Sequence, residues 1–105
     1  MVLRKAILAL ALAGLTTPAL AADPVEGKKI AQRWCAECHL VSPDQNSSVP
    51  VGPPPFETLA GSKKVSADFL KTFLQAPHTK DMRGLKLNRY DIDDLVAYIE
   101  SLSGN

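Results

Sequence analysis

Cys35 and Cys38 are the only two cysteines of the chain, and His39 follows the second directly, in the stretch RWCAECHL over residues 33–40. Residues at i, i+3 and i+4 share one face of a helical turn, so two thiols and an imidazole can converge on one object. Four uses compete for such a cluster. A thioredoxin-like redox pair needs a βαβ context, which the flanking sequence lacks. A structural zinc site takes four ligands, and although His78 would complete the count, adjacent Cys38 and His39 seldom fit one tetrahedron. A plain disulfide across this short loop is the third. The fourth is covalent attachment of a c-type haem, whose signature is Cys-x-x-Cys-His. There each thiol forms a thioether with one vinyl group and the histidine reaches the iron from one side, which uses all three residues.

The sixth position of such an iron decides what the site can do. Met82 is one of two methionines, the other being Met1. A lone methionine is commonly core filler, but the attachment motif, the short loop around residue 82 and the Leu85-x-Leu87 helix entry favour ligation. A neutral thioether is a soft donor that favours reduced iron and raises the potential. Two strong ligands leave no open position for a substrate, so such a site moves electrons. His78, four residues before Met82, is the rival ligand and would lower the potential.

The whole chain bounds what can position these residues. With 105 residues, 46% hydrophobic and 22% charged, it fits one small globular domain. Its start is expected to lie outside that domain. Arg4 and Lys5 precede an unbroken apolar run from Ala6 to Leu15, Pro18 breaks the run, and Ala19-Leu20-Ala21 has the small-x-small pattern of a signal-peptidase site. Residues 1–21 read as a cleaved signal peptide and residues 22–105 as the mature domain. The apolar run is about half of the roughly 20 residues that a transmembrane helix needs. Export implies an oxidising compartment. Removing Arg4 and Lys5 from 12 basic residues leaves 10 against 11 acidic ones, a net charge of −1, which lacks the basic surplus of a nucleic-acid binder. A mature chain of about 84 residues gains little net stability from its core alone, so a cofactor or other staple is expected.

Three helices are predicted. The first starts with Asp23 as N-cap, Pro24 at the first helical position and Glu26 at the capping-box position, and runs to the cysteines near its C-terminal end. The second starts at Ser66, carries Phe69, Leu70, Phe73 and Leu74, and ends before Pro77. The third starts at Asn88 and presents Ile92, Leu95, Val96, Ile99 and Leu102 on one stripe. Between the first and second, residues 41–65 hold five of the eight prolines and read as a long loop wrapped around something. The fold class is all-α, three main helices and long loops around one haem.

Taken in order, these motifs resemble the small bacterial class I c-type cytochromes, with one haem and His/Met ligation, over essentially the whole mature sequence. Gly27 lies eight residues before Cys35 like the family's helix-packing glycine. CAECH resembles its haem box, VGPPPF its Gly-Pro segment, FLKTFLQAPHTKDM its middle helix, Pro-His step and ligand methionine, and DIDDLVAYIESL its last helix. The resemblance implies that Pro53 supplies the backbone carbonyl that accepts a hydrogen bond from His39. It also implies that Gly27 and Tyr98 lie where the first and last helices cross, and that the histidine at 78 is not the ligand. Two positions depart from the family: Ala31 stands where an aromatic is common, leaving Ile30 or Trp34 to fill that contact, and Arg83 rather than proline follows Met82.

What the resemblance implies for function is a periplasmic electron carrier, not an enzyme, with one covalent haem c and a monomeric state. Its partners would be redox proteins such as membrane cytochrome complexes, terminal oxidases or periplasmic dehydrogenases, with no nucleic acid and no stable membrane insertion. The alternatives are a haem subunit of a periplasmic oxidoreductase complex and, further off, a haem-based gas sensor or peroxidase. Lys63, Lys64, Lys71, Lys80, Arg83 and Lys86 fall where the haem edge is expected and could steer an acidic partner, while Asp91, Asp93, Asp94 and Glu100 gather on the last helix. Trp34 reads as helix packing, and Phe56, Leu59, Phe69, Phe73, Leu85, Leu87 and Leu95 as haem-pocket lining and core.

Overall fold

Asp23, Ser66 and Asn88 each start a helix by the same local device, a side-chain oxygen that accepts from backbone N–H groups the helix leaves unpaired. In a computed structural model, which describes residues 21–104 and Gly14, helix α1 spans Pro24–Trp34 with Asp23 Oδ1 accepting from Val25 N at 2.9 Å. The signal peptide expected over residues 1–21 lies outside the described residues, apart from Gly14 and Ala21. Glu26 does not complete a capping box: its carboxylate turns to Lys29 at 2.9 Å instead. Helix α3, Ala67–Phe73, is capped by Ser66 through Phe69 N at 3.0 Å. Helix α4, Arg89–Ser101, opens with a full capping box between Asn88 and Asp91.

One helix was not expected. Within the proline-rich segment, α2 covers Phe56–Gly61. Pro55 immediately precedes it, where a fixed φ and a missing N–H cost nothing. The remainder of residues 41–55 is loop, and a 3-10 turn, Lys80–Met82, lies between α3 and α4. Among the described residues there is no strand.

The core is the α1–α4 crossing, with α2 and α3 packed more lightly on α4. Ile92, Leu95, Val96 and Ile99 are buried as their stripe predicted, whereas Leu102 caps the helix and is only partly covered. Leu95, wholly buried, contributes roughly 1.5–3 kcal/mol by leaving water. Ala31 is also wholly buried, and Ile30 packs beside it on the core edge. Trp34 is 49% exposed, with the Arg33 guanidinium 4.7 Å from its ring centre. Ala31 itself therefore occupies the core at this position, with Ile30 on its edge and Trp34 on the surface.

Gly27 permits this crossing. A Cβ built there would stand 2.5 Å from the Asp94 carbonyl carbon and 2.8 Å from Tyr98 Cβ, and closer still to the Asp94 oxygen. The Asp94 side chain accepts from Asp23 N at 2.7 Å, which ties the start of α1 to the middle of α4. From the same crossing the Tyr98 hydroxyl donates to Val41 O at 2.5 Å, so α4 also holds the chain just after His39.

Candidate functional site

Helix α1 ends at Trp34, one residue before the first cysteine, rather than running through the cluster. The chain nevertheless keeps turning. Cys35 N donates to Ala31 O at 2.9 Å, and Cys35 O then accepts from both Cys38 N at 3.1 Å and His39 N at 2.9 Å. That one carbonyl preserves the i, i+3, i+4 relation, so Cys35, Cys38 and His39 remain on a single turn.

His39 is then fixed from outside the turn. Its Nδ1 donates to the Pro54 carbonyl at 2.7 Å, which sets the tautomer and leaves Nε2 as the free lone pair. The resemblance had pointed to Pro53; the acceptor is one residue further on. Consecutive prolines in an extended run turn by about a third of a revolution per residue, so their carbonyls face different ways and only one can meet the ring. Two bonds of the loop decide which. Phe56 N donates to Leu40 O at 2.8 Å, anchoring the end of the run next to His39, and Gly52 takes a φ of 125°, a left-handed conformation open to glycine.

A second clamp was not legible in the sequence. Gln45 Oε1 accepts from Val41 N at 2.9 Å, while the two Nε2 hydrogens are shared among Ser47 Oγ at 2.8 Å, Ala36 O at 3.2 Å and His39 O at 3.3 Å. One amide therefore staples the Cys-to-His turn to the loop that follows. The sequence shows only a glutamine in a polar run, because the bonds exist only once the loop has folded back.

An aromatic row leads away from His39. Its ring centre lies 5.3 Å from that of buried Phe56 and 6.2 Å from that of His78, with the two imidazole planes at 69°. His78 in turn lies 4.9 Å from Phe73, which stacks on Phe69 at 5.8 Å. Phe56 and Leu95 are core as expected, and Leu59 and Leu87 pack on its edge. Phe69 and Phe73 are not core: they are 52% and 44% exposed. Phe73 and Phe69 thus continue the row beyond His78 as an exposed apolar face.

Met82 sits half-buried in the 3-10 turn and lines a cleft with Leu74, Pro77, Leu85 and Leu87. His39 is not part of that lining. Cys35 and Cys38 are not joined in a disulfide, which leaves both sulfurs available for attachment. Burial, with a smaller contribution from Cys38, pushes the Cys35 thiol up to about 11, so at neutral pH it is protonated. Burial and then the neighbouring His39 lower the His78 imidazole. Among the described residues no three His, Cys, Asp or Glu side chains gather as a metal-binding group, so the zinc alternative lacks its ligand set.

These residues fit a covalent haem. Two unpaired thiols stand on one turn beside an imidazole with one nitrogen committed and one free, and an exposed apolar face continues beyond His78. Fold and site together define a small all-α domain of the covalent-haem class. The family model described as cytochrome c matches residues 24–103. Cytochrome c-552 of Bradyrhizobium diazoefficiens is 40% identical over 100 residues, covering 95% of this chain and 94% of that protein. No solved structure matches the chain. The chain belongs to the cytochrome c family: it is an electron-transfer protein carrying covalently bound haem c, and not an enzyme.

Proposed function

We propose that this chain is a periplasmic one-electron carrier whose haem is attached through Cys35 and Cys38 and ligated by His39 and Met82. The observation that carries the reading is the 2.7 Å bond from His39 Nδ1 to Pro54 O, since it is the interaction a ligating histidine needs and a surface histidine does not. When bound, the haem supplies an iron that cycles between ferrous and ferric states. The chain's own residues do the rest. The Cys35-to-His39 turn holds the imidazole in one orientation, and Pro54 keeps Nδ1 protonated so that Nε2 faces the metal. Phe56, Phe69 and Phe73 exclude water from that side, which favours the less charged reduced form. On this reading the exposed Phe69–Phe73 face is the surface that the haem covers.

The loop between α3 and α4 would supply the Met82 thioether as the opposite ligand, raising the potential as in other His/Met sites. Residues 1–21 would direct export and be removed after Ala21. No described helix is long and apolar enough to cross a membrane. Lys63, Lys64, Lys80, Arg83 and Lys86 are exposed and would steer an acidic redox partner into a transient complex. Lys71 contributes less, being 3.6 Å from Asp93 in an ion pair.

The test is the ferric spectrum of the purified holoprotein beside that of Met82→Ala. The reading expects the long-wavelength sulfur-to-iron band in the parent and its loss in the variant. A parent without the band, or a variant that keeps it, refutes the Met82 assignment.

A further inference from the structure

Beside His39 lies a second imidazole, His78, for which the His/Met reading has no use. We infer that His78 is a reserve axial ligand, able to take the iron position opposite His39 when the Met82 thioether is withdrawn; the inference rests on the His/Met reading above. Two imidazoles that bind one metal from opposite sides, each with a bond of about 2.0–2.1 Å, have ring centres roughly 6 Å apart. The His39 and His78 centres are 6.2 Å apart. The 69° between their planes is compatible with that arrangement, because trans imidazoles rotate freely about the axis they share.

His78 is also held near this position. Phe73, the last residue of α3, packs against its ring at 4.9 Å, which gives the otherwise exposed imidazole one fixed neighbour. The segment that carries both donors can shift without unfolding the domain. Met82 N donates to Thr79 O, Arg83 N to Lys80 O and Leu85 N to Met82 O, so the hydrogen bonds of residues 79–85 close within the loop. Thr79, Lys80 and Asp81 are exposed. Local hydrogen bonds and exposed residues mark a segment that opens at low cost. The exchange breaks one iron–sulfur bond and forms one iron–nitrogen bond. With a neutral imidazole neither an electron nor a proton moves. It converts a high-potential carrier into a lower-potential one, and oxidation of Met82 by a peroxide, which transfers one oxygen atom to the sulfur to give the sulfoxide and leaves as water or an alcohol, would be one trigger.

The test compares the holoprotein with Met82→Ala, His78→Ala and the double variant, by ferric electron paramagnetic resonance, near-infrared spectra and potentiometry, with far-UV circular dichroism to establish folding. Met82→Ala should lose the sulfur band yet stay low-spin with two nitrogen ligands and a lower potential. Adding His78→Ala should abolish the low-spin signal, and His78→Ala alone should leave the parent spectrum intact. Peroxide-treated parent, with Met82 oxidised, should match Met82→Ala and provides the same comparison if that variant fails to fold. A parent with the sulfur band whose Met82→Ala form is high-spin, or whose double variant remains low-spin, overturns the inference alone. A parent lacking the band overturns the Met82 assignment and the reserve role with it.

Discussion

Replacing Gly27 by alanine puts a methyl group where α1 meets the backbone of α4. The new Cβ would lie 2.5 Å from the Asp94 carbonyl carbon and 2.8 Å from Tyr98 Cβ, against about 3.5–4.0 Å for carbon atoms at optimal separation. Neither neighbour can rotate away, since one is backbone and the other is the root of a buried side chain. The helices must therefore part by roughly 1 Å at the crossing. That strains the Asp23–Asp94 and Tyr98–Val41 hydrogen bonds that flank it. Overpacking costs typically 1–3 kcal/mol, and more when backbone must move. Taking the upper end of that range, about 3 kcal/mol, for a clash with backbone, and the roughly 1 kcal/mol that the better helix propensity of alanine returns, leaves a net loss of roughly 2 kcal/mol. Gly61, the last residue of α2, is the control: a Cβ there meets nothing within 4 Å and its φ is not positive. Gly61→Ala should be neutral or stabilise by about 0.4–1 kcal/mol. Urea denaturation of the holoproteins, followed by far-UV circular dichroism, reads both. A Gly27→Ala midpoint equal to that of the parent, or both substitutions costing the same, would refute the crossing argument.

Three further outcomes follow from the same contacts. Tyr98→Phe leaves the Val41 carbonyl without its donor and should cost about 1–3 kcal/mol in the same urea assay. Burial chiefly raises the Tyr98 pKa above its usual value, so the folded state keeps a proton that the unfolded chain releases. The stabilising contribution is thus full below about pH 10 and is lost as pH climbs from there towards the raised value. The parent should lose stability more steeply than Tyr98→Phe above pH 10, and parallel curves would contradict this. Gln45→Leu removes an amide that serves four partners around His39. It should lower thermal stability and broaden the ferric resonance signal of the iron, with Gln45→Glu keeping the Val41 and Ser47 bonds but losing those to the Ala36 and His39 carbonyls; an unchanged signal in Gln45→Leu would show that the clamp does not position His39. Raising ionic strength should slow electron exchange with an acidic partner protein, an effect that Lys80→Glu should weaken in stopped-flow measurements.

The parts of this molecule that were legible in the sequence are those decided locally. Asp23, Ser66 and Asn88 cap helices through bonds that reach no further than three residues, and the Ile92-to-Ile99 stripe needs only the helical repeat. The turn that gathers Cys35, Cys38 and His39 is equally local, because its spacing is its geometry. The misses are long-range. Whether Pro53 or Pro54 faces His39 depends on the Leu40–Phe56 bond that closes the loop, and on the turn at Gly52. The Gln45 clamp exists only after that closure. Helix α2 is too short for a periodic signal and is hidden among prolines. Phe69 and Phe73 read as haem-pocket lining or core without a choice between the two; that they are 52% and 44% exposed, and so not core, is set by how α3 lies on α4.

The central claim is that Cys35 and Cys38 hold a haem covalently, and the intact mass of the purified protein under denaturing, acidic and organic conditions tests it most directly. The account predicts a mature chain starting at Ala22 with one haem added, and the adduct mapped to both cysteines in a peptide containing residues 35–39. A chain that sheds its haem on denaturation, or whose cysteines are found as free thiols or as a Cys35–Cys38 disulfide, would contradict it.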